Sequence, residues 1–164
     1  MPFLLLDSAR MNAAIEKAKE FAGEKSFICL YKGLAEERLS GVAPYLFNYD
    51  NSIFGEWHMK EGWGNSWGLF VSADLSLQDL SRHFRRFLMV KTEEGKQLYF
   101  RFYDPRVLRI FLPTCDTQQL EDFFGPIHFF FMEDEDPNFA LKFSLKNGEL
   151  HTERIKQNLK TTDK

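Results

Sequence analysis

The stretch EGWGNSWGLF, Glu61 to Phe70, contains Gly64-Asn65-Ser66-Trp67-Gly68 and so matches the G-x-S-x-G pattern of serine hydrolases. Its neighbours decide whether it is a nucleophile elbow or a backbone junction. Upstream, IFGEWHMKE (53–61) reads as a helix that Asn51 or Ser52 can cap and Gly62 stops. Downstream, WGLFVSA (67–73) reads as a strand. A nucleophile elbow needs the reverse order, strand then serine then helix, because its sharp turn lifts the hydroxyl above the sheet. The observed order therefore predicts a helix-to-strand junction. Gly62, Gly64 and Gly68 would let the chain turn and pass close to a neighbour, with Trp63 and Trp67 as packing residues.

Working outward, FLLL (3–6) reads as a strand. DSARMNAAIEKAKEFAGEK (7–25) then reads as a helix capped by Asp7 or Ser8, with Met11, Ala14, Ile15, Ala18, Phe21 and Ala22 on one apolar face. SFICLY (26–31) has the pattern of a buried strand, making the opening β-α-β. LAEERLSGVAPYLFNYD (34–50) divides into a short helical stretch and an extended segment through Pro44. In LSLQDLSRHFRRF (75–87), Ser76 and Asp79 form a near capping box. Leu77, Leu80, Phe84, Phe87 and Leu88 then make a buried stripe, leaving Arg82, Arg85 and Arg86 toward solvent or a partner. LMVKTEEGKQLYFRFY (88–103) reads as a hairpin turning at Gly95, with Leu98, Phe100 and Phe102 alternating against Gln97, Tyr99, Arg101 and Tyr103. Asp104 caps a helix opened by Pro105, and Asp116 with Gln119 opens a second that stops at Gly125-Pro126. IHFFFME (127–133) is a further strand, and FALKFSLK-NG-ELHTERI (139–155) a hairpin. The prediction is a single α/β domain over residues 1–155, a mixed sheet with flanking helices and a C-terminal hairpin, followed by a polar, frayed tail at 156–164.

Composition narrows the function classes. With 21 Lys and Arg against 24 Asp and Glu, the net charge of −3 argues against nucleic acid as a partner. Phenylalanine is in excess, 18 of 164 residues, which calls for a dense core, an apolar surface patch, or both. Cys29 and Cys115 form no disulfide framework, and no signal peptide or bilayer-length segment is present, so a reducing, cytoplasmic setting is expected. His58, His83, His128 and His151 lack metal-ligand spacing, and no P-loop or Rossmann pattern appears, so neither metal nor cofactor is expected.

Two charged groups could read a partner: Arg82, Arg85 and Arg86 on one helix, and Arg106 and Arg109 after FRFYDP. Asp104 and Arg101 are assigned instead to an internal Arg–Asp network, with Asp104 as the cap. FFGPIHFFFME (123–133) packs five phenylalanines into nine residues. In a strand, Phe129 and Phe131 oppose Phe130, so one face of that strand is expected to lack a cover and to seat a partner. The competing chemistry is a small hydrolase using Ser66 or Cys115, with His128 or His151 as base.

The pieces LLLDSAR (4–10), GVAPYL (41–46), GWGNSWGLF (62–70), LSRHFRRFLMV (80–90), FRFYDPRVL (100–108) and FFGPI (123–127) run in an order that resembles the type VI secretion effector adaptors, also called Tap or TEC chaperones. The resemblance covers about residues 3–131. It implies a bacterial cytoplasmic protein without enzymatic activity that binds a cognate toxic effector and helps place it on the VgrG spike. It also implies that Trp63, Gly64, Trp67 and Gly68 form a structural junction with no catalytic serine. Many adaptors carry a long variable C-terminal lobe that helps recognise the effector. Here residues 132–164 stand in that place, which leaves the seat of specificity open.

Overall fold

The computed structural model describes residues 1–49 and 53–158; the expected caps Asn51 and Ser52, and residues 159–164 of the expected tail, lie outside them. The main sheet has seven strands: β1 (Pro2–Asp7), β2 (Phe27–Cys29), β3 (Pro44–Asn48), β4 (Gly68–Ala73), β7 (Ile127–Glu133), β8 (Phe139–Lys146) and β9 (Glu149–Lys156). Their order is β2-β3-β1-β4-β7-β8-β9. The hairpin of β5 (Met89–Lys91) and β6 (Gln97–Tyr99) stands apart. The helices are α1 (Ser8–Met11), α2 (Ala14–Ala22), α3 (Ile53–Glu61), α4 (Leu77–Arg85), α5 (Pro105–Phe111) and α6 (Thr117–Phe124). A 3-10 stretch, Ala35–Val42, leads into β3. The domain is α/β with flanking helices and a C-terminal hairpin, as the patterning predicts.

Three details differ from expectation. Every neighbouring pair in the sheet is antiparallel rather than mixed. β1 and β2 do run in the same direction, but β3 is inserted between them, so the opening unit is a split β-α-β. The first helix breaks at Asn12, whose φ of 51° cannot continue a right-handed helix. The segment after β6 leaves the strand at Tyr99; Phe102 and Tyr103 are then both buried instead of alternating.

Alternation sorts the side chains into two layers. Phe3, Leu5, Leu69, Val71, Phe130 and Phe143 face α4–α6, where Phe130 meets Phe123 at 5.4 Å and Phe124 at 5.1 Å. Leu4, Phe47 and Phe70 face α2 and α3, where Phe47 meets Phe54 at 5.4 Å. From Phe3 onward β1 is buried on both faces, which accounts for its apolar run Phe3–Leu6. The phenylalanine surplus goes mainly into these two layers. Phe21, expected in the core, lies at its margin against Trp57.

Candidate functional site

β1 and β7 run in the same direction on either side of β4, so their C-terminal ends flank the point where β4 begins. The junction loop Gly62–Trp67 enters there and is gripped from both sides. On the β1 side, the Asp7 N–H donates to the Trp67 carbonyl at 2.8 Å. On the β7 side, the Glu133 carboxylate accepts from Gly64 N–H at 2.7 Å, Ser66 N–H at 2.9 Å and the Ser66 hydroxyl at 3.0 Å. With Gly64 at φ 85° and Ser66 at φ 55°, the N–H groups of these two residues point inward to form this carboxylate cradle, while the Asn65 N–H between them donates to the Gly62 carbonyl. Three hydrogen bonds offset the cost of burying Glu133, which is nearly inaccessible.

The remaining motif residues are structural too. A Cβ on Gly68 would lie 2.0 Å from the Leu5 carbonyl oxygen, so only glycine fits. Trp63 donates from Nε1 to the Pro137 carbonyl at 2.8 Å, and Trp67 packs against Trp57 at 5.5 Å. The serine hydroxyl is held by a carboxylate rather than by an imidazole. Cys115 donates to the Phe111 carbonyl, and burial together with the charge of Asp116 pushes its thiol pKa up, the opposite of an activated nucleophile.

A second charged group lies on the α4–α6 face of the same sheet end. Asp104 caps α5 by accepting from Arg106 N–H at 2.9 Å, and Arg106 returns to it through Nε at 3.1 Å and Nη2 at 2.7 Å. Burial raises the Asp104 carboxyl, but the Arg106 bonds and the charges of Arg106 and Arg101 outweigh it, so its pKa falls below the usual 3.8. Arg101 pairs with Asp7, which also caps α1 through Ala9 N–H at 3.0 Å. Burial dominates at Asp7 and raises its pKa in spite of Arg101. The internal Arg–Asp network is thus present, with Asp7 as a member that the sequence reading assigns only to a cap. Nothing in the sequence marks Asp7 or Glu133 as partners of residues 94 and 67 positions away; each is simply the polar residue that ends an apolar strand.

The expected partner-binding residues do not form one surface. Arg85 bonds the carbonyls of Leu30 at 3.0 Å and Cys29 at 3.3 Å, and so ties α4 to the end of β2. Arg82 pairs with Asp79, and Arg86 sits over Phe87. Arg106 is committed to Asp104, and the charge of Arg109 acts on Asp134. Phe130 is fully buried among α4–α6 and is no contact residue; that expectation is corrected by the face on which it lies. Phe129 and Phe131 lie on the opposite face, half-buried, so the helix-α4 arginines cannot rim them. Phe131 is covered by Trp63 at 5.8 Å and Phe70 at 5.9 Å, while Phe129 has Lys142 Nζ 5.0 Å above its ring.

Among the described residues, no group of three or more His, Cys, Asp or Glu side chains could hold a metal ion, and no helix is long and apolar enough to cross a membrane. No curated protein and no solved structure matches the chain. One family model does match, over residues 2–122, and it spans the junction loop, the Asp7–Arg101 pair and the Asp104 cap. By that match the chain belongs to the family described as a domain of unknown function (DUF4123).

Proposed function

We propose that this chain is a non-enzymatic adaptor of type VI secretion, a chaperone that binds a cognate toxic effector in the bacterial cytoplasm and helps load it onto the VgrG spike. The observation that carries the reading is the use made of the G-x-S-x-G motif. Its serine is spent on seating Glu133, and the motif welds α3, β4 and β7 into a scaffold. A scaffold of this kind serves binding. The family match and the ordered motifs within it support the same reading. The effector's seat is the face of β7–β9 turned away from α4–α6, which presents Phe129, Phe131 and Ile155 without a covering helix.

The test is co-expression with a toxin encoded nearby. The expected result is a stable soluble complex, with VgrG as the second partner. Phe129→Asp should abolish that complex without unfolding the domain, and Ser66→Ala should leave it intact. Labelling of Ser66 by a fluorophosphonate probe, or a chain that co-purifies with no neighbouring gene product, would overturn the reading.

A further inference from the structure

β9 is the terminal strand of the sheet, and among the described residues no strand pairs with its outer edge. The two-residue Asn147-Gly148 turn makes Lys146 and Glu149 a hydrogen-bonded pair, so Glu149, His151, Glu153 and Ile155 are the residues that bond to β8. The bond from Gln157 N–H to the Asn138 carbonyl keeps the same parity. The N–H and C=O groups of Leu150, Thr152, Arg154 and Lys156 therefore point outward, a template for another strand.

Charges usually blunt such an edge, but their order along ELHTERIK selects one way for the strand to pair with itself. Antiparallel self-pairing about a two-fold axis must match outward residues with outward residues. Centred on His151, it opposes Glu149 to Glu153. Centred on Glu153 or Arg154, it opposes like charges at the axis, and centred on Ile155 it opposes Arg154 to Lys156. Centred on Leu150, it engages little of the strand. Centred on Thr152, it opposes His151 to Glu153 twice, Leu150 to Arg154 twice and Glu149 to Ile155 twice, with no like-charge pair.

A row of polar side chains extends this register. Within the chain, Lys142 Nζ lies 3.5 Å from Glu153 Oε1, and His151 Nε2 lies 3.8 Å from the same oxygen. In the Thr152-centred register, Glu153 stands between Lys142 of its own chain and His151 of the second copy. Among the described residues no helix covers this face of β8 and β9. We propose that β9 is a homodimer interface, in which two copies of this chain join edge to edge about a two-fold axis at Thr152 and their sheets become one. The inference holds whatever else the chain binds.

Sedimentation velocity on the full chain across a concentration series should show a monomer–dimer equilibrium. Thr152→Pro removes the N–H at the axis but no bond to β8, so it should give a monomer whose unfolding midpoint matches that of the wild-type chain at concentrations where the dimer has dissociated. His151→Glu sets two glutamate pairs against each other and should weaken the dimer about tenfold, whereas His151→Lys should retain it. The register is read by oxidation in a background with Cys29→Ser and Cys115→Ser. There Thr152→Cys should cross-link to itself, since facing Cα atoms of such a pair lie about 5.5 Å apart, and Arg154→Cys, which faces Leu150, should not. A wild-type chain that stays monomeric at every concentration overturns the proposal. So does a dimer indifferent to Thr152→Pro, or one in which Arg154→Cys links and Thr152→Cys does not.

Discussion

The two ends of the main sheet are finished differently. Around β3, β1 and β4 both faces are covered, and the strands are apolar at nearly every position. From β7 to β9 helices cover only the α4–α6 face; the junction loop covers the β7 end of the other face, and further out that face carries the polar residues Lys142, His151 and Glu153. The boundary nearly coincides with the limit of the family match at residue 122. Yet β7, beyond that limit, is no accessory. Phe130 is fully buried, and Glu133 holds the junction loop inside the matched region. The shared framework therefore closes only when a strand from outside the match completes it.

The largest expected effect comes from breaking this closure. Phe130→Ala removes a ring that packs on Phe84, Phe123 and Phe124 and should cost about 3–5 kcal/mol, read by chemical denaturation. A cost below about 1 kcal/mol would show that β7 is peripheral after all.

The covered end should carry an acid sensitivity of its own. His58 is buried under α3 against Trp67 and Phe70, its Nδ1 without a hydrogen-bond partner, and burial lowers its pKa to about 4. The folded state thus binds this proton more weakly than the unfolded chain does. Its contribution is fully present above pH 6.5 and is lost as pH falls towards 4, on the order of 3 kcal/mol. Equilibrium unfolding of His58→Leu across that window should lose most of this slope. His83, also lowered mainly by burial, keeps its own share. An unchanged slope in His58→Leu would refute the assignment.

Asp104→Ala tests the polar end of the covered half. Loss of the cap and of the two-pronged Arg106 pair should cost about 1–2 kcal/mol. Because the Asp104 pKa is depressed, the native chain's advantage over this variant is present above the unfolded carboxylate range and should shrink as pH falls below it. An unchanged melting temperature with a lost partner would make Asp104 an interface residue instead.

The smallest stability effect belongs to the open face. Phe129→Asp should shift stability by less than about 1 kcal/mol while removing effector binding. A large loss of stability there would mean that the face is closed in the folded chain.

The sequence by itself determined the local framework. Ser76, Asp104 and Asp116 cap where they were expected to, Gly125 ends α6 at φ 47°, and Asn147-Gly148 turns the last hairpin with both φ values positive. The order of helix, turn and strand around Ser66 was legible for the same reason: caps, glycines and periodicity act over a few residues. Long-range assignments belong to the tertiary structure. β3 slips between β1 and β2, Arg101 finds Asp7 across 94 positions, Glu133 finds Ser66 across 67, and Phe130 turns inward while Phe129 and Phe131 turn away. No local pattern encodes these choices. A polar residue at a strand end or a phenylalanine in an aromatic run has its partner fixed by which strands become neighbours, and that depends on how the layers bury the most apolar surface while leaving no buried charge unpaired.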